Sequence, residues 1–157
     1  MMVFIVVESI MIAGVTLFQF NKKNSEYHEG RLERKENNLL VDIKYELQKN
    51  GINSINSLNN SMILEMADVH NLEFELYNLD GILLKSSTAL TGVRGTTILD
   101  DEILEYFQND NSSRYVIDDK NSSYFKSSYN LVSNFNNQPL GIISVSYTHL
   151  RAHETVG

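Results

Sequence analysis

From Val3 to Phe20 the chain carries eighteen residues with a single ionisable side chain, Glu8. A run this apolar must be covered, either by a protein core or by a bilayer. As a helix rising ~1.5 Å per residue it reaches about 27 Å, close to the ~30 Å hydrocarbon thickness of a membrane. Glu8 opposes insertion by roughly 2.5–3.5 kcal/mol, and its place near one end lets it reach headgroups or a partner helix. A buried soluble helix is the competing reading. No basic stretch precedes the run and no small-residue cleavage site succeeds it, so it reads as an uncleaved anchor rather than a signal peptide. Orientation is contested by the chain itself. Lys22, Lys23, Arg31, Arg34 and Lys35 all lie after the run, and the positive-inside rule then puts the remainder of the chain in the cytoplasm. The opposite orientation requires a basic flank ahead of the run.

Residues 21–50 contain no Pro and only Gly30 as a weak helical position. They therefore predict a long helix ending at Asn50-Gly51. Leu32, Leu39, Leu40, Ile43 and Leu47 recur at helical spacing, so one face is covered. Residues 51–60, rich in Asn and Ser, read as a connector. A short helix comes next over 61–70, with Ile63, Leu64 and Ala67 facing inward. The period then changes to two: Leu72, Phe74 and Leu76 alternate with Glu73, Glu75 and Tyr77, a half-buried strand. Asn78-Leu79-Asp80-Gly81 is a turn, and residues 82–86 return as a second strand.

Thr88 to Thr97 is a loop, with Gly92 and Gly95 around Arg94. Asp100 caps a helix through Asn109, with Asp101 and Glu102 in its first turn. Residues 114–118, 124–133 and 140–145 predict three more strands ending in an antiparallel meander. The expected class is α+β: a transmembrane helix (1–20), a helical rod (21–50), and a domain (51–144) built on about five antiparallel strands with short helices.

Charge and composition exclude several functions. The net charge of −7 argues against nucleic acid. Without Cys there is neither a disulfide framework nor thiol chemistry. No glycine-rich phosphate loop is present: Thr91-Gly92-Val93-Arg94-Gly95 lacks the Lys-Ser/Thr of that motif. The acidic pairs Asp100-Asp101 and Asp118-Asp119 serve as cap and turn, and the Asn-x-Ser sites at Asn111 and Asn121 read as turns. His28 is an exposed helix residue, and His70 ends a helix, where the dipole favours a charged imidazole. No metal site and no catalytic constellation can be drawn. The candidate ligand-lining residues are Arg94, Tyr115, Tyr124 and Tyr129, since aromatics beside one charged group suit a small organic ligand. Ordinary β-sheet packing is the competing account of the tyrosines.

Residues 145–155, Val-Ser-Tyr-Thr-His-Leu-Arg-Ala-His-Glu-Thr, resemble the conceptual translation of a transposase-based sequencing adapter. The resemblance implies that the native reading ends near Ser144 and that residues 145–157 are a foreign tail. His149 and His153 then carry no metal-site argument.

Residues 24–36, Asn-Ser-Glu-Tyr-His-Glu-Gly-Arg-Leu-Glu-Arg-Lys-Glu, resemble the juxtamembrane rod of membrane sensor histidine kinases of the Bacteroidetes type. Residues 68–87, a strand, an Asp-Gly turn and a returning strand, resemble the first hairpin of their extracytoplasmic PAS-like (Cache-like) sensor domains. The resemblance implies a homodimer in the cytoplasmic membrane that senses a small-molecule or protein signal. It also implies a kinase core, absent from these residues, that uses ATP and magnesium and passes phosphate to a response regulator. No catalytic residue of the family falls on a position of this chain, and no cofactor is expected within it. A receptor with another output, a chemoreceptor or a cyclase, shares every visible feature. Phe4-Ile5-Val6-Val7-Glu8 also resembles the start of type IV pilin-like subunits, although Val3 stands where their peptidase requires Gly.

Overall fold

The computed structural model describes residues 2–51, 53–88, 98–109, 114–117 and 124–148. Helix α1 runs without interruption from Met2 to Lys49, so the apolar run and the polar helical segment after it are one element. The chain divides into two compact units, Met1–Asn37 and Asn38–Gly157.

The first unit is helical. Its apolar run is exposed along its length, with Phe4, Ile10, Met11, Ile12, Leu17, Phe18 and Phe20 each more than 60% open. Its most apolar window has a mean hydropathy of 1.6, and the helix is long and apolar enough to cross a membrane. The two hydroxyls within the run are satisfied by the helix itself. Ser9 Oγ donates to the Ile5 carbonyl at 2.8 Å and Thr16 Oγ1 to the Ile12 carbonyl at 2.7 Å. A segment surrounded by hydrocarbon needs this, because lipid offers no hydrogen-bond partner.

The second unit is α+β, as expected. After the end of α1 come a 3-10 turn at Ile55–Ser57, α2 (Asn60–His70), β1 (Glu73–Tyr77), β2 (Leu83–Ser86), α3 (Asp101–Gln108), β3 (Tyr115–Ile117), β4 (Tyr124–Ser133) and β5 (Pro139–Thr148). The strands form one antiparallel sheet in the order β2-β1-β5-β4-β3. The final strand thus lies at the centre, and α3 occupies the crossover between β2 and β3. The pattern predicts the five antiparallel strands and the closing meander β3-β4-β5, and the sheet as a whole is the PAS-like one that the resemblance implies.

Each face of the sheet has its own core. On one, Phe74 and Leu76 of β1, Val132 of β4 and Ile143 and Val145 of β5 pack with Leu39, Ile43 and Leu47 from the last turns of α1 and with Ile63 and Met66 of α2. On the other, Tyr77, Ile142, Leu99 and Ile103 are buried together. Period-two alternation separates the sets, since neighbouring residues of a strand point to opposite faces.

Two expectations change in detail. The stretch 51–60 is more than a connector, because Ile55 and Leu58 are almost fully buried in the α1-side core. On α2 the buried pair is Ile63 and Met66, while Leu64 and Ala67 are half-buried. Helix α2 is capped by Asn59, whose side chain accepts from the Ser61 N–H at 3.0 Å, and it ends at Asn71 with φ +50°. Helix α3 starts where Asp100 predicts, but the Asp100 side chain makes no capping bond. Its carbonyl instead receives the N–H groups of Ile103 and Leu104.

The hairpin turn is set by Asn78. Its side-chain oxygen accepts from the N–H groups of Asp80 and Ile82, at 3.0 and 2.7 Å, while Gly81 takes φ +79°, a conformation that favours glycine. Strand β5 continues to Thr148, so Val145 to Thr148 of the adapter-like stretch pair with β1 and β4. His149, His153 and the rest of that stretch lie outside the described residues.

Candidate functional site

The face of the sheet away from α1 carries a row of polar side chains in direct register. Ser86 of β2 pairs with Glu75 of β1, Glu75 with Ser144 of β5, Ser144 with Tyr129 of β4, and Tyr129 with Tyr115 of β3. Directly paired residues point to the same face, so one polar stripe crosses all five strands. The neighbouring row, Leu83, Tyr77, Ile142 and Leu131, is apolar and meets Leu99, Ile103 and Leu104. Helix α3 therefore seals one half of this face with hydrocarbon, and the other half carries hydroxyls, rings and the carboxylates of Glu73 and Glu75, with Ser144 buried between Glu75 and Tyr129.

Glu75 is held in place. The Tyr77 hydroxyl donates to Glu75 Oε2 at 2.5 Å, and Ser86 Oγ lies 3.4 Å from Oε1. Ser86 also contacts Thr88 Oγ1 at 2.8 Å. At the far end the Tyr115 hydroxyl donates to Glu102 Oε1 of α3 at 2.7 Å. The Tyr115 ring lies 4.7 Å from that of Tyr106 and 6.4 Å from that of Tyr129, within the range of favourable aromatic pairs. Glu102, Glu105, Tyr106, Asn109 and Tyr115 line an open depression of about 240 Å³. Drug-sized ligands occupy roughly 300–1,000 Å³, so the depression suits a small group rather than a whole ligand.

The site's electrostatics are acidic. The Tyr115 hydroxyl titrates above its ordinary value, first because it donates to Glu102, then through burial and the nearby Glu102 charge. Tyr129 is also raised, first by burial and then by the charges of Asp100 and Glu75, against hydrogen bonds with Ser144 and Ser127 that lower it.

Of the four candidates from the sequence, the structure brings Tyr115 and Tyr129 side by side. Tyr124 opens β4, and its side chain lies outside the described residues, as does Arg94. Asp118-Asp119, Asn111 and Asn121 also fall outside them. The sequence reading missed Glu75 and Ser144. Their signal was the alternation of β1 and β5, which exposes their face, but only the register shows that they meet. It also missed the partner of His70, whose Nε2 lies 2.6 Å from Asp42 Oδ2. That contact joins the last residue of α2 to α1 across 28 positions. No group of three or more metal-ligating side chains occurs among the described residues.

No family model matches the chain, and no curated protein does. Among solved structures the chain is similar to the sensor domain of Escherichia coli DcuS, at 10% identity. That likeness covers 77% of this chain and 96% of the other, with a TM-score of 0.47. At this level the likeness carries no functional argument, and the fold rests on the sheet itself: a PAS-like α+β domain placed after a helix fit to cross a membrane.

Proposed function

We propose that this chain is the extracytoplasmic sensing region of a membrane-bound two-component sensor histidine kinase. One observation carries the reading. Helix α1 contains the apolar run and also supplies Leu39, Ile43 and Leu47 to the core of a domain whose opposite sheet face holds the polar row. A ligand at that face acts on a sheet whose other side is packed against the signalling helix. The signal passes if the ligand binds one of two sheet–helix arrangements more tightly than the other.

The working unit is a homodimer. Val41 and Tyr45, one turn apart on α1, are 64% and 57% exposed, and a second copy of the helix would cover them. The kinase core, with its ATP and magnesium and its response-regulator partner, belongs to sequence beyond Ser144. In this reading Val145 to Thr148 occupy a strand end that native residues fill in the intact protein. Their alternation, with Val145 buried and Tyr147 half-buried on the same face, suits that position whatever their origin.

The test is to read the source gene past the codon for Ser144. A second apolar helix, then a histidine box and an ATP-binding region, is the expected result. An early stop codon overturns the kinase reading and favours the pilin-like subunit. A different output domain leaves the sensor and replaces the kinase.

A further inference from the structure

From the charge of the polar row we infer that the ligand carries a protonated amine, seated with its ammonium on Glu75 and its body against the ring of Tyr129. The inference rests on the proposed sensor function and names the ligand class for the same site.

Glu75 is the one charged member of the row Ser86, Glu75, Ser144, Tyr129, Tyr115. It stands on an inner strand, half-buried, with Tyr77 and Ser86 as its hydrogen-bond partners. A carboxylate offers about four acceptor positions. Two neutral hydroxyls, one of them at 3.4 Å, leave acceptor capacity and the charge itself unmatched. Within the described strands of this face and helix α3 nothing basic answers it, and Arg114, which adjoins the start of β3, is engaged with a partner of its own. Strands β1, β3 and β5 and helix α3 contain no Lys or Arg. The single lysines of β2 and β4, Lys85 and Lys126, pair with Leu76 and Tyr147, residues that face the α1-side core. Lys85 is moreover engaged with Asn60 of α2 at 3.0 Å.

The aromatic part is independent of the charge. Tyr129 lies next to Ser144, itself paired with Glu75, and its ring is succeeded along the row by those of Tyr115 and Tyr106. Ring faces attract ammonium groups, more strongly when the cation is desolvated. An ammonium on Glu75 thus meets a carboxylate and hydroxyl oxygens, and its carbon skeleton can lie along the rings. A carboxylate ligand would meet the like charge of Glu75, with that of Asp100 also acting at Tyr129.

The test is isothermal titration of the full chain in detergent micelles. The probes are monoamines and diamines on one side and mono- and dicarboxylates on the other. The expected result is saturable binding of an amine, weakened at least tenfold in Glu75→Gln and in Tyr129→Leu and retained in Tyr129→Phe, which keeps the ring. If Glu75→Gln does not fold, the Tyr129 pair decides. Amine binding unchanged in these variants overturns the inference, as does an absence of binding by every probe. Binding of carboxylates alone also overturns it and points to a cation such as Arg94, while leaving the sensor reading to be decided by the gene.

Discussion

Gly141 sits at the middle of the sheet, on β5, opposite Val132 of β4 and next to β1. A Cβ placed there would lie 2.1 Å from the Tyr77 carbonyl oxygen and 2.6 Å from Ile55 Cδ1. Ordinary contacts begin near 3.4 Å, so Gly141→Ala must push β5 and β1 apart by more than an ångström. The obstacle on one side is backbone, which cannot rotate away, and Ile55 is itself fully buried. Overpacking of this kind costs about 1–3 kcal/mol and more where the backbone must move. About 2–4 kcal/mol is therefore expected, or a fall in Tm of roughly 10–20 °C for a domain of this size. Thermal unfolding of the full chain in micelles, tracked by tyrosine fluorescence, measures it. Gly30→Ala is the matched control: nothing lies within 4 Å of its Cβ, and it should add roughly 0.5–1 kcal/mol to helix stability. A Gly141→Ala loss below about 1 kcal/mol would refute the close approach of β1 and β5.

Other consequences can be measured on the same preparation. A double-mutant cycle with Asp42→Asn and His70→Gln should return a coupling of about 0.5–1 kcal/mol, small because Asp42 is half exposed; zero coupling would mean that the pair does not tie α2 to α1. Tyr129 titrates above its ordinary value in the folded state. Its unfolded form therefore loses its proton first, and its contribution is fully present below about pH 10. That contribution is lost as pH rises through the folded value. Alkaline stability curves of the parent and Tyr129→Phe should accordingly diverge only above about pH 10. Replacing both Val41 and Tyr45 by Glu should shift the chain from dimer to monomer in sedimentation while leaving the circular dichroism unchanged; a dimer that survives would place the interface elsewhere.

The sequence revealed the elements better than their meetings. Alternation identifies β1 because Phe74 and Leu76 point one way and Glu73, Glu75 and Tyr77 the other, and the Asn78-Gly81 turn needs only local chemistry. The span of β4 was legible to the residue. The stretch around Ile55 and Leu58 was not, because two apolar residues among Asn and Ser form no period. Their burial depends on a packing partner elsewhere in the chain. The site was half legible for a related reason. Tyr115 and Tyr129 stood out as residue types, but nothing local sets Glu75 and Ser144 between Ser86 and Tyr129. That neighbourhood is made by β5 inserting between β1 and β4, a long-range pairing. The Asp42–His70 contact is hidden in the same way, across 28 residues.

The central claim is that the sheet domain faces away from the cytoplasm, against the basic residues that lie after the apolar run. The chain has no native Cys, and Leu79, in the hairpin turn, is 43% exposed, so Leu79→Cys introduces a unique thiol at little expected cost. Intact cells expressing this variant are treated with a membrane-impermeant maleimide and compared with lysed cells. Labelling in intact cells, equal to that after lysis, is the result the sensor account predicts. Labelling only after lysis would contradict it and place the domain in the cytoplasm.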